Sequence, residues 1–245
     1  MKSLPLYLIA MLVIPACNKS DYVPTKGGGT KNKIIGNVVL YDDLTNKASS
    51  YDSMTVRIDG TAFSAITDSS GKYSFKDVPL GTYTVVYEKN GYGTFKLDTF
   101  NLVQNITDTP AIIPPKTLGQ LSTTAVTDMF PSIEGDFIKI VATIDPPGNS
   151  STARGIRFFY GNDSLVTKEN FSAFSPVYGF KSANATERID KTDFYSMGFS
   201  AGDTVYVKVY GDAFFSNDYI DVPYAKRIFP NLNMNSVSPK SFILP

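Results

Sequence analysis

Among 245 residues there is no histidine and no tryptophan, and cysteine occurs once. Without histidine the chain lacks the commonest general base, the Ser-His and Cys-His pairings that activate a nucleophile, and the imidazole ligands of zinc sites. A lone cysteine has no partner for an internal disulfide. The missing Trp removes the largest ring on which a sugar can stack and leaves Tyr and Phe for that role. Excess charge of one sign is also lacking: 23 basic and 23 acidic residues, spread along the chain, form no basic stripe of the kind that holds nucleic acid. No metal and no cofactor are expected. What the chain does have is aromatic. It carries 15 Tyr and 17 Phe in a composition that is 42% hydrophobic and 19% charged. That balance describes a folded, all-β chain, long enough for two domains with a core each.

Long apolar runs are scarce as well. After Lys2, residues 4–16 form a charge-free stretch of 13. A spanning helix needs ~20 residues, so this stretch reads as a secretory signal over residues 1–16. It ends in Ile14-Pro15-Ala16-Cys17, which resembles a bacterial lipobox, although Pro15 and Ile14 depart from its commonest form. The resemblance implies cleavage before Cys17 and lipidation of its thiol, and each buried acyl methylene adds roughly 0.8 kcal/mol of membrane affinity. The other reading is an ordinary secretory signal with an incidental cysteine. By resemblance to Gram-negative lipoproteins, Asn18 implies an outer-membrane anchor, and Asp21 hints at the outer surface. Residues 17–32, with Gly27, Gly28 and Gly29 in a row, read as a flexible tether.

Residues 33–104 form the first expected domain. Apolar residues alternate at Met54, Val56 and Ile58, at Tyr73 and Phe75, and at Tyr83, Val85 and Tyr87. Asp59-Gly60 reads as a two-residue hairpin turn, and Asp68-Ser69-Ser70-Gly71 as a turn in which Gly71, at a positive φ, closes a hairpin. Strands recurring at roughly 8 to 12 residues, with no helical pattern, predict a β-sandwich. The order Gly36, Val56 and Ile58, Thr67-Asp68-Ser69-Ser70-Gly71-Lys72-Tyr73-Ser74-Phe75, Val78-Pro79, Gly81-Thr82-Tyr83-Thr84-Val85 and Lys89-Asn90-Gly91-Tyr92 resembles the carboxypeptidase regulatory-like domain. That resemblance implies a seven-stranded, transthyretin-like sandwich used as a non-catalytic module. Tyr92 and Phe95 either offer rings to a ligand or cover the end of the core.

Residues 105–118, with Pro110, Pro114 and Pro115, read as an extended connector, although Ile112 and Ile113 have the option of closing the first sandwich. Residues 119–231 form the second expected domain, with strands at 121–127, 137–144, 154–161, 203–210 and 224–229. In the strand over 203–210 Val205, Val207 and Val209 share one face. The run Gly202-Asp203-Thr204-Val205-Tyr206-Val207-Lys208-Val209-Tyr210-Gly211 resembles the end of a fibronectin type III or immunoglobulin-like sandwich. Residues 232–245 read as a tail without a pattern.

One loop concentrates chemistry. Asp212, Asp218 and Asp221 alternate with Phe214, Phe215 and Tyr219 between the last two expected strands. A glycosidase needs only two carboxylates, and a sugar-binding or calcium-binding loop also uses acids interleaved with rings. The alternatives are therefore a solvated loop with its rings folded back, a recognition loop for glycan or protein, and a remote hydrolase reading. The expected function is a non-enzymatic, lipid-anchored binding or scaffold protein. Its expected partners are the membrane through Cys17 and either a glycan or another envelope protein.

Overall fold

The computed structural model describes residues 32–103 and 109–245; the signal, the tether and Cys17 lie outside the described residues. Eight strands build the first part: β1 (Ile34–Tyr41), β2 (Thr55–Ile58), β3 (Ser64–Ile66), β4 (Lys72–Phe75), β5 (Gly81–Glu88), β6 (Phe95–Leu102), β7 (Ala111–Ile112) and β8 (Lys116–Gly119). One sheet has the order β3-β2-β5-β6, and the opposing sheet sets β4 on one side of β1 and β7 and β8 on the other. Their inner faces enclose a core of Ile34, Val38, Leu40, Val56, Ile58, Phe75, Val85 and Tyr87. The expected sandwich is thus present.

Three details differ from the sequence expectation. The Asp59-Gly60 turn is wider than two residues, because the amide of Ile58 donates to the carbonyl of Phe63 across it. Asp68 to Gly71 does not fold two strands of one sheet together but carries the chain from β3 in one sheet to β4 in the other. The carboxylate of Asp68 accepts from the amides of Ser70 and Lys72. Gly71 sits at φ +81°, and a Cβ there would lie 2.1 Å from the carbonyl oxygen of Val38. Finally, the connector over 105–118 is not free of the first sandwich. Ala111 and Ile112 pair in parallel with Ile34 and Ile35, and Lys116 to Gly119 pair in parallel with Val38 to Tyr41. The prolines at 114 and 115 fall between the two pairings, where no ladder donor is needed. β7 and β8 are therefore two pieces of one interrupted seventh strand.

The two sheets are also joined inside. The hydroxyls of Tyr73 on β4 and Tyr87 on β5 lie 2.8 Å apart in the buried interior. Burial pushes the Tyr73 phenol up to about 12 and the Tyr87 phenol higher still. The Tyr73 ring needs Gly36 beneath it, since a Cβ there would meet its hydroxyl at 2.2 Å. Tyr92 is buried and Phe95 packs on the same core, so both cover its end.

The second part comprises β9 (Ala125–Glu134), β10 (Phe137–Asp145), β11 (Arg154–Gly161), β12 (Ala173–Phe174), β13 (Tyr178–Phe180), β14 (Asn184–Asp190), helix α1 (Lys191–Ser196), β15 (Thr204–Gly211), β16 (Tyr219–Asp221), β17 (Lys226–Ile228) and β18 (Lys240–Ile243). The sheet β14-β10-β9 faces the sheet β11-β15-β18, to which β12 and β13 add along β11. Val205, Val207 and Val209 point inward as expected, against Ile138, Ile140, Phe158 and Tyr160. Residues 162–192, where the sequence shows only weak periodicity, hold the three strands β12 to β14. Helix α1, six residues long, is too short to show a period; it starts at Asp190, whose carboxylate accepts from the amide of Thr192.

The stretch read as a tail is part of this fold. Lys240 to Ile243 pair antiparallel with Thr204 to Val207, and Phe242 and Leu244 enter the core. Only Phe242 and Leu244 face inward, too few alternations to stand out in the sequence. Phe242→Ala is expected to cost about 3–5 kcal/mol of stability. A urea melt with an unchanged midpoint would show instead that the last strand is dispensable.

Candidate functional site

The loop over residues 212–221 leaves the end of β15, at the junction between the two sandwiches, and the structure uses it as a joint. Asn217 takes φ +52°, a left-handed conformation that asparagine tolerates. This aims its side-chain amide at the free edge of β8. Its Nδ2 donates to the carbonyl of Thr117 at 2.7 Å, and its Oδ1 accepts from the amide of Gly119 at 2.7 Å. One side chain thereby occupies the place of a neighbouring strand. Asn231 locks the arrangement by donating to the carbonyl of Phe215 at 2.6 Å and to Oδ1 of Asn217 at 3.0 Å.

Contacts spread outward from this point. The amide of Ser122 donates to the carbonyl of Asn231, and that of Leu121 to the carbonyl of Gly91. The buried carboxylate of Asp43 accepts from the amide and hydroxyl of Thr123 at 2.8 and 2.7 Å. Two glycines allow the close approach: a Cβ on Gly119 would lie 2.6 Å from the carbonyl oxygen of Phe215, and one on Gly93 would lie 2.2 Å from that of Pro230.

Of the six residues singled out in the loop, Phe215, Tyr219 and Asp221 reach across to the first sandwich, and Asp212, Phe214 and Asp218 are held within the second. Phe215 packs on Tyr41, with ring centroids 4.6 Å apart, and Tyr219 meets Phe95 edge-on at 5.5 Å. The Phe214 ring lies over Gly179, where a Cβ would be 3.0 Å from it. Asp221 is buried and pairs with Lys96 of the first sandwich at 3.0 Å. Asp218 pairs with Arg227 and accepts from the hydroxyl of Ser216 at 2.9 Å. Asp212 is buried against Arg157, 2.7 Å from its Nε. The guanidinium of Arg157 also donates to the carbonyl of Ser175 and lies 5.0 Å over the ring of Phe229.

The pair of Asp212 and Arg157 is finely balanced. Among the described residues, one carboxylate oxygen of Asp212 has no hydrogen-bond partner. Burial pushes the carboxyl up to about 6, in spite of the opposing charge of Arg157. Desolvation thus outweighs the attraction of the pair, as is common inside proteins. Arg157, Asn217, Asn231, Asp43 and Lys96 had no signal in the sequence. Their partners lie tens of residues away, and nothing in their local pattern distinguishes them from surface residues.

Away from the joint, the sheet of β4, β1 and β7 carries a groove of about 610 Å³ on the first sandwich. Ile35, Ile66, Ile112 and Pro115 form its apolar lining, and Asn37, Lys72 and Ser74 its polar part. Ile66 and Ile112 are 69% and 67% exposed.

Residues 45–111 match the carboxypeptidase regulatory-like domain. No curated protein matches the chain. Among solved structures, a type II cohesin–X-dockerin complex of Acetivibrio cellulolyticus is similar at 25% identity over 36% of this chain, with a TM-score of 0.30. The chain covers 56% of that protein's length. A candidate carbohydrate-binding protein of Bacteroides uniformis is similar at 16% identity, over 87% of this chain and 99% of the other, with a TM-score of 0.30. A DUF3823 family protein of Parabacteroides merdae is similar at 11% identity, over 83% and 98%, with a TM-score of 0.28.

Removing the cation buried beside Asp212 tests the electrostatics of this pair. Arg157→Met leaves Asp212 buried without a counter-charge and is expected to cost about 3–5 kcal/mol at pH 7. The sign with pH follows from the raised carboxyl. A folded-state value of about 6 against 3.8 means that what this group contributes is fully present below pH 3.8 and is lost as pH rises through 6. In the variant the loss extends to higher pH, so part of the deficit is recovered at pH 5. Urea melts at pH 5 and 7 with equal deficits would contradict this.

Proposed function

We propose that the protein is a non-catalytic binding module of a Gram-negative cell envelope, held at the outer membrane by a lipidated Cys17 and acting as an accessory in glycan capture. The observation that carries the non-catalytic part is the fate of the three loop carboxylates. Asp212, Asp218 and Asp221 are each matched to a cation, Arg157, Arg227 and Lys96 respectively. A glycoside hydrolase instead sets two carboxyl groups facing each other across ~5–10 Å, one of them free to donate a proton. The match over residues 45–111 supports a modular reading, because the domain resembled there serves many surface proteins as an attached module. The second sandwich supports an immunoglobulin-like or fibronectin type III-like reading. Its first two strands and β14 share one sheet, while β11, β15 and β18 form the other, with additions along β11.

The groove favours a second reading, an assembly role with another envelope protein. Exposed isoleucines beside a polar rim suit a protein surface better than a sugar, which stacks on rings. Native affinity gels with embedded amylose, xylan, pectin or galactomannan separate the two. Retardation by at least one polysaccharide is expected; none, together with co-purification of an envelope protein, would replace glycan capture with assembly. The anchor has its own test. Cys17→Ser is expected to move the protein from the membrane to the soluble fraction of the envelope, and a variant that stays membrane-bound would remove the lipid anchor from the account.

A further inference from the structure

The groove on the first sandwich lies across the outward face of its sheet. In β1 and β4 the residues Ile34, Gly36, Tyr73 and Phe75 are buried, so Ile35, Asn37, Lys72 and Ser74 point away from the core. The register sets Ile35 between Ser74 and Ile112, and Asn37 beside Lys72. Two strongly exposed isoleucines border this floor. Ile66 comes from the end of β3, and Ile112 stands near Pro115, where the prolines interrupt the seventh strand. The only aromatic ring among the lining residues is that of Tyr73, which is buried.

The rim is basic. Lys72 lines the groove, and Lys33 and Lys76 continue the outward alternation of β1 and β4 at the other end. All three lysines are exposed and, among the described residues, none forms an ion pair. Asp68, the one acid in the lining, is held by its own turn, where it accepts from the amides of Ser70 and Lys72 and from the Ser70 hydroxyl. Setting Asp68 and Asp77 against the three lysines still leaves cation in excess, and the preceding chain enlarges that excess with Lys19, Lys26 and Lys31 against Asp21. That chain enters at this face. The described part begins at Asn32, whose carbonyl accepts from the amide of Val78, and Lys33 follows at once. Residues 17–31, which precede it, span at most about 50 Å.

Exposed aliphatic side chains with free ammonium groups at the rim suit a surface that is apolar and anionic at once. A saccharide stacks on rings, which the groove does not expose. An anionic phospholipid layer offers both parts, phosphates for the lysines and hydrocarbon just beneath for the isoleucines. A protein partner would cover isoleucines equally well. What singles out the lipid surface is position: the groove lies where the basic segment that follows Cys17 reaches the folded part.

We propose that this face is the side on which the protein rests on its own membrane: Ile66 and Ile112 enter the headgroup layer of anionic phospholipid, and Lys33, Lys72 and Lys76 meet the phosphates. The proposal rests on the Cys17 anchor proposed above and adds an orientation to it. The contact is weak by itself and acts because the anchor holds the face close to the bilayer. The test uses the mature chain carrying Cys17→Ser, which bears no lipid, in sedimentation with vesicles of phosphatidylcholine alone or mixed equally with phosphatidylglycerol. Binding at millimolar lipid is expected, roughly tenfold tighter to the mixed vesicles and weaker as salt rises. Lys72→Gln should weaken it about fivefold. Ile66→Ser and Ile112→Ser together should weaken it about tenfold, with the thermal midpoint of the parent, since both side chains are exposed. Parent-like binding by these variants, with binding lost when Lys19, Lys26 and Lys31 are changed to Gln, overturns the face and assigns the contact to the tether. No binding of the unlipidated parent to the mixed vesicles also overturns it and returns the groove to the envelope-protein reading. The anchor stands or falls by the fractionation of Cys17→Ser in cells, so the two failures are distinct.

Discussion

The side-chain amide of Asn217 pairs with the exposed edge of β8, and the arrangement of the two sandwiches depends on that contact. A free strand edge attracts any other strand. Here the edge is closed by one residue from the neighbouring sandwich, held in a left-handed turn that only a few residue types accept. Other contacts at the joint support that amide or run beside it. Asn231 fixes its orientation, Gly119 and Gly93 make room for the backbones, and Tyr41 and Phe95 receive the rings on either side.

The same joint explains why a loop rich in acids and rings is not an open site. Mixed charge and aromatic character suits a wet interface between two domains as well as it suits a ligand. At such a joint each carboxylate finds a cation and each ring finds another ring, which is what Asp218, Asp221, Phe215 and Tyr219 do.

Legibility in the sequence tracked the range of the interactions. The strand alternation in Val56 and Ile58, in Tyr73 and Phe75, and in Val205 to Val209 depends on one residue and its next neighbours, and the sandwich architecture followed from it. The turn at Asp68 to Gly71 was legible as a turn because its hydrogen bonds are local, but its destination was not, because crossing between sheets depends on β1 lying beside β4. The pairing of residues 111–119 with β1 was masked by three prolines, which signal extended chain whether or not a partner strand is present. β18 was missed because four residues at the end of a chain carry too little pattern, and the joint because its pairs are about 100 residues apart, as between Asn217 and Thr117.

The central claim is that the joint makes the two sandwiches one cooperative body, and differential scanning calorimetry of the mature chain tests it most directly. A single transition is predicted, with the calorimetric enthalpy equal to the van't Hoff enthalpy. Two resolved transitions, or a calorimetric enthalpy about twice the van't Hoff value, would contradict it and return the sandwiches to the status of independent modules.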